Sequence, residues 1–238
     1  MKLDILAFGA HPDDVELCAG GTVARHTAMG DKVGIVDFTQ GEMGTRGTPE
    51  LRLQEAQDAA NVMGVSVREN LGFKDVFFKN DDEHKLRVVE MIRKYKPEIV
   101  LANAFYDRHP DHGKASSLTS EACFIAGLHS LKTTHQGEEQ EPWRPKVVYH
   151  YIQGWLIMPD FIVDVSDFWD KKMGAIKAYK SQFHNPESDD PETWLSSPEF
   201  FDLVKGRSVE FGQVIGKKFG EGFLVERIPG VGDLKNLY

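Results

Sequence analysis

Short apolar runs alternate with helix-length segments through the first half of the chain, and no other feature constrains the fold as strongly. Leu3 to Gly9 and Val33 to Phe38 have the length and composition of buried strands, Glu98 to Asn103 reads as a further strong strand, and a short strand is expected around Val67 to Leu71. Between them lie helical patterns over Val15 to Met29, Thr48 to Gly64 and Asn80 to Tyr95, and a fourth is expected from Gly113 to Gly127. Connections of this length cannot be hairpins. The order therefore predicts a mostly parallel, Rossmann-like α/β sheet with right-handed crossovers and helices on its faces. Thr48 followed by Pro49 is a good helix start, because a hydroxyl caps free N–H groups and proline suits the first turn. Gly20-Gly21 inside the first helix predicts close packing against the sheet.

The second half is less regular. His129 to Arg144 reads as an exposed polar loop. Val147 to Ile152 and Phe161 to Val165 read as strands, and Ser166-Asp167 as the cap of a helix toward Tyr179. Phe183 to Pro198 is long for an idle connection. A helix over Glu199 to Lys217 precedes Gly222 to Ile228, which is expected at the edge of the sheet. No repeat, low-complexity tract or composition shift divides the 238 residues, so residues 1–238 read as one domain.

Composition narrows the function. A net charge of -9 argues against nucleic acid or an anionic membrane as the main partner. The N-terminal apolar run is too short for a signal peptide and no stretch is long enough to span a bilayer, so a cytoplasmic protein is expected. Cys18 and Cys123 sit in helical patterns and read as free buried thiols.

Two polar clusters carry the chemistry. His11-Pro12-Asp13-Asp14 follows the first strand, and Tyr106-Asp107-Arg108-His109-Pro110-Asp111-His112 follows the fourth. If those strands are parallel, both clusters emerge at one carboxyl edge, where open α/β sheets bind ligands. Imidazole and carboxylate suit a divalent cation, and a catalytic zinc needs three protein ligands and an open position. Either His-Pro-Asp stretch alone is an ordinary turn; the pair together points to a metal site. A dinucleotide binder fits poorly, because carboxylates occupy the turn where a pyrophosphate needs Gly-x-Gly-x-x-Gly.

With Ala10 to Glu16, the Gly41-Glu42, Gly44-Thr45 and Gly47-Thr48 loop, Arg52, Glu55, Arg108 to His112, Ser181-Gln182-Phe183 and Gly220 to Phe223, the chain resembles the LmbE-like, or PIG-L, zinc-dependent deacetylases. The group it resembles most removes acetate from N-acetylglucosaminyl malate in bacillithiol biosynthesis. The resemblance implies zinc bound by His11, Asp14 and His112, with Asp13 as general base. Two histidines and a carboxylate equally suit Fe(II). It also implies a small-molecule N-acetylglucosamine-type substrate and a homo-oligomer, commonly a hexamer. Other N-acetylglucosamine substrates, diacetylchitobiose among them, are the alternative, and a non-catalytic metal or sugar binder is a weaker one.

Chemistry adds roles. Adjacent side chains on an extended segment diverge, so Asp13 can accept a proton while Asp14 faces the metal. A protonated His109 would stabilise the oxyanion, and Asp111 would either orient that imidazole or bond its own loop. Either Asp13 or His109 protonates the leaving amine. The resemblance implies that Arg52 binds substrate, with an exposed salt bridge as the alternative, and that Arg144 reaches into an active site, its own or a neighbouring subunit's; Arg108 neutralises an anionic aglycone or pairs with Asp107. The remaining histidines, 26, 84, 129, 135, 150 and 184, read as ordinary.

Overall fold

The structure, a computed structural model, describes residues 1–184 and 189–236. Residues 185–188 of the long 183–198 connection lie outside the described residues. The chain runs β1 (Ile5–Gly9), α1 (Asp14–Met29), β2 (Val33–Thr39), α2 (Pro49–Met63), β3 (Val67–Phe73), α3 (Asp82–Tyr95), β4 (Ile99–Ala102) and α4 (Pro110–Ala126). After these come a two-residue pair, β5 (Thr134–His135) and β6 (Glu138–Glu139), then β7 (Val147–Tyr151), β8 (Phe161–Asp164), α5 (Trp169–Ala178), α6 (Glu199–Val214) and β9 (Gly220–Val225).

A seven-stranded sheet has the order β3-β2-β1-β4-β7-β9-β8. The first five strands in this order are parallel, whereas β9 runs antiparallel to both β7 and β8. The expected parallel α/β sheet is present. The expected C-terminal edge strand is not: β9 is internal, and β8 forms the edge. Its apolar residues fit that place, since Phe223 is buried and pairs with both Tyr151 and Phe161.

Alternation along the central strands builds the core. Leu6, Phe8, Val36 and Phe38 face the layer of α3 and α4, while Ile5, Ala7, Val33 and Ile35 face the layer of α1, α2 and α5. The Thr48 hydroxyl accepts from the Leu51 N–H and Pro49 opens α2, as expected. At Gly21 a Cβ would lie 2.7 Å from Val165, so the close approach read from Gly20-Gly21 is made there. The Ser166-Asp167 cap is replaced by a 3-10 turn over Ser166–Phe168, and α5 starts after it without a side-chain cap. The 129–144 loop contains the small β5–β6 hairpin, anchored where buried Arg93 donates to Leu131 O and the Thr133 hydroxyl.

One topological fact positions everything else. From β1 the chain moves outward to β2 and β3, then returns to place β4 on the other side of β1. A crevice opens where the order reverses, at the carboxyl ends of β1 and β4.

Candidate active site

The two polar clusters meet in that crevice. Helix α4 begins at Pro110, three residues before the start expected from sequence, because His109 is its N-cap and proline fits the first turn. Asp111 and His112 are thereby fixed in a helical turn. At the other wall Asp14 is the first residue of α1, and Asp13 before it has φ 114°. So positive a φ in a non-glycine residue is strained, at a cost of roughly 1–3 kcal/mol. The two aspartates diverge as expected, through this kink rather than through extended backbone.

The imidazoles of His11, His109 and His112 bring their ligand atoms within 4.8 Å of one another. Asp14 lies between two of them: its Oδ2 is 3.6 Å from His11 Nδ1 and its Oδ1 is 3.2 Å from His112 Nε2. The Asp14 carboxylate is oriented by the His11 N–H, the Asn103 amide and the Gln153 amide, at 2.9–3.0 Å. Nitrogen and carboxylate donors in one buried cluster fit zinc or Fe(II) alike. Outer carboxylates hold the rings, the arrangement metal-binding histidines need. His11 Nε2 is 3.1 Å from Asp75 Oδ1 and 3.5 Å from Asp111 Oδ2, and His112 Nδ1 bonds Asp107 Oδ2. His11, Asp75 and Asp111 also form a ligand-competent trio of their own.

Electrostatics follow from this crowding. Burial opposes charge on His112, but Asp14 and Asp107 outweigh it and push its pKa up to about 9. His11 is also raised, its burial overcome by bonds to Asp111, Asp14 and Asp75. Asp13 is pushed up to about 7, first by burial and then by Asp14, against the pull of Arg52. His109 is pushed down to about 4, by burial and by the charge of His11 and His112. While His11 and His112 carry charge, this opposes the protonated His109 expected from sequence. Its supposed partner is occupied elsewhere: the Asp111 carboxylate accepts from the Val76 N–H, meets Lys114 Nζ at 2.6 Å and faces His11. His109 instead accepts the Asp111 backbone N–H at 3.3 Å.

The three arginines separate. Arg52 is buried, not an exposed salt bridge. Its Nη2 donates to Asp13 Oδ2 at 3.2 Å and to Pro12 O at 2.8 Å, and its Nη1 to Gly41 O at 3.0 Å. Gly41, at φ 65°, must be glycine, since a Cβ would overlap the Arg52 guanidinium. Arg108 is exposed at the cavity rim and lies 4.2 Å over the Trp194 ring. It does not pair with the Asp107 carboxylate, which bonds His112 and the Trp155 N–H. Arg144 lies outside the cavity of its own chain, over Phe124 at 4.3 Å and donating to Phe124 O, because the 129–144 loop carries it to the outer face of α4.

A cavity of 360 Å³ opens over these groups. Its floor is the His11, Asp13, Asp14, His109 and His112 cluster, and its far wall comes from Trp194, Leu195 and the α6 residues Phe200, Leu203 and Val204. Sequence reasoning missed Asp75, Asn103 and Gln153, and offered Asp107 only as one alternative partner of Arg108, not as the partner of His112. Each stands one to five residues beyond the end of a parallel strand, namely β3, β4 and β7. Reading the ends of β3 and β7 as well would have found Asp75 and Gln153.

Comparison with known proteins agrees with this geometry. The family model for PIG-L, GlcNAc-PI de-N-acetylase, matches residues 6–123. Diacetylchitobiose deacetylase of Thermococcus kodakarensis is 31% identical over 95% of this chain and 84% of its own length. The 4-oxalmesaconate hydratase of Pseudomonas putida is 29% identical over 75% of this chain and 74% of its own. The crystal structure of a conserved protein of Thermus thermophilus superposes with a TM-score of 0.85 at 35% identity, covering 97% of this chain and 98% of that one. The chain belongs to the PIG-L, or LmbE-like, deacetylase family.

Proposed function

We propose that this protein is a metal-dependent N-deacetylase that hydrolyses the acetamide of an N-acetylglucosamine derivative, with N-acetylglucosaminyl L-malate, the bacillithiol precursor, as the first substrate to test. One observation carries the reading: the Asp14 carboxylate lies 3.6 Å from His11 Nδ1 and 3.2 Å from His112 Nε2, and this set shares its cavity with Asp13, a buried carboxylate beside it. His11, Asp14 and His112 would hold the metal, zinc or Fe(II). A bound zinc supplies Lewis acidity toward the amide oxygen and lowers the pKa of water to about 7.

Asp13 does the proton work. Arg52 fixes its carboxylate, and burial raises its proton affinity into the range where a group both takes and returns a proton efficiently. It takes the proton of the water that attacks the acetamide carbonyl and delivers it to the departing amine. His109, on the cavity floor beside His11 and His112, would hydrogen-bond the reacting group. Asp111 and Asp75 keep the His11 ring in place. A single catalytic domain in a cytoplasmic homo-oligomer, up to a hexamer, belongs to the same reading. In it the exposed Arg144, on the outer face of α4, would meet a neighbouring subunit, and light scattering tests the mass.

The test is acetate release by metal-loaded and chelated protein from N-acetylglucosaminyl malate, N-acetylglucosamine, diacetylchitobiose and a glucosaminyl cysteine conjugate. Release that chelation abolishes is the expected result. A hydratase is the second reading, favoured by the 29% identical relative. Consumption of 4-oxalmesaconate with no acetate from any amide would replace the first reading by the second.

A further inference from the structure

Among the described residues, Arg46, Arg52, Arg108, Lys172 and Arg207 are the arginines and lysines that line the cavity, and their hydrogen bonds set one apart. Arg52 is spent on Asp13, Pro12 and Gly41. Arg207 is spent on the carbonyls of Gln153 and Gly154, and Lys172 on Glu221 at 2.6 Å. Arg108 is exposed and stacked on Trp194, so water and salt screen its charge. Arg46 is different.

Arg46 is 6% exposed, and its guanidinium donates one hydrogen bond, from Nε to Ser181 O at 2.9 Å. The Asp190 carboxylate faces that same Nε at 3.9 Å, too far for a hydrogen bond. The terminal amino groups donate to no described residue, and Nη2 is wholly buried. Leaving such donors unmet costs stability unless a ligand or water meets them. The side chain is also held in place beforehand. The Gln182 amide donates to Arg46 O at 2.7 Å and to the Ser181 hydroxyl, while the Ser181 N–H and hydroxyl both donate to buried Glu55. A guanidinium fixed in a cavity wall, with Nε held by Ser181 O and in a long ion pair with half-exposed Asp190 but its terminal amino groups unmet among the described residues, is built for a planar or tetrahedral anion.

We propose that Arg46 is the anion-recognising residue of this cavity. It receives a carboxylate or phosphate on the part of the substrate beyond the N-acetylglucosamine ring, and so selects anionic over neutral conjugates. This inference rests on the deacetylase reading for its substrate, but not for its test.

The test compares wild type, Arg46→Gln and Arg46→Lys on three probes: N-acetylglucosaminyl malate, N-acetylglucosamine 1-phosphate and neutral methyl N-acetylglucosaminide. Turnover is measured on metal-loaded enzyme. Calorimetric Kd values for the same probes are measured in an Asp13→Asn background, where binding is read without chemistry. Arg46→Gln is expected to lower the anionic-to-neutral ratio of kcat/KM and of affinity on the order of tenfold or more. The change should lie in KM and not kcat, a split that a loosened loop would not produce. Arg46→Lys keeps the charge but loses the fork, and should fall several-fold. The malate and phosphate arms tell which anion is preferred. A ratio unchanged by either substitution, or a wild type that binds all three probes equally, overturns the proposal. If no probe releases acetate, the deacetylase reading fails while the Kd ratio still decides Arg46. If Arg46→Gln does not fold, the Arg46→Lys ratio decides alone.

Discussion

Two buried arginines face carboxylates in the N-terminal half of the molecule, and they do opposite things. Arg68 on β3 forks onto Asp37 of β2 at 2.7 and 2.9 Å, bonds Glu16 of α1 and donates to Ala56 O of α2. Arg52 gives two of its bonds to backbone carbonyls and only one to a carboxylate, Asp13, and its Nε has no partner. Their side chains are equally hidden, at 4% and 6% exposure. Burial therefore does not distinguish them; the allocation of donors does. The first set ties α1, α2, β2 and β3 into one strut beneath the site. The second fixes a carboxylate in place yet leaves it close to its protonated form, on a strained backbone. This is the difference expected if Asp13 exchanges a proton, as proposed, while Asp37 and Glu16 only hold the fold.

That contrast is broken most sharply at Asp13. Asp13→Asn keeps an acceptor for Arg52 but cannot take a proton, so kcat should fall by roughly 10²–10⁴. Metal content should stay at the wild-type level, and the melting temperature should not drop. Full activity in this variant would remove Asp13 from the mechanism. The strut predicts the reverse pattern. Arg68→Met strands Asp37 and Glu16 without a counter-charge and should cost roughly 3–5 kcal/mol in urea unfolding of the chelated protein. Arg52→Met leaves behind one carboxylate and two carbonyls beside a cavity that water enters, so about 1–3 kcal/mol is expected. If Arg52→Met proved the more destabilising of the two, the assignment of strut and site would be inverted.

The sequence made the parallel half legible because most of its strands are short apolar runs separated by helical patterns, and two of them, β1 and β4, lead into polar clusters. The candidate ligand histidines and Asp13 could be read for the same reason: they lie in the segments that follow β1 and β4. What could not be read was anything set by a distant partner. Asp111 looks as if it serves His109, two residues away, but the α4 start at Pro110 turns it toward His11 across the crevice. Arg52 looks like a surface helix residue until Gly41 allows it to fold under the loop. The place of β9 inside the sheet depends on β8 pairing outside it, information held in neither segment alone. Local chemistry was visible; the choice among long-range partners was not.

The smallest effect tests how far the strut extends. The Tyr179 hydroxyl, just beyond α5, donates to the same Glu16 oxygen that Arg68 holds, at 2.9 Å, while the other Glu16 oxygen has no partner among the described residues. Tyr179→Phe keeps the ring's packing and removes one bond to an acceptor that retains its arginine, so about 1 kcal/mol should be lost. The informative quantity is the coupling. Tyr179 and Arg68 meet on one carboxylate, so the double variant with Arg68→Met should depart from additivity by more than about 0.5 kcal/mol. Tyr179 shares no hydrogen-bond partner with Arg52, and the double variant with Arg52→Met should be additive within that margin. Coupling to Arg52 as large as that to Arg68 would mean that strut and site are one network, and that the allocation of donors does not separate them.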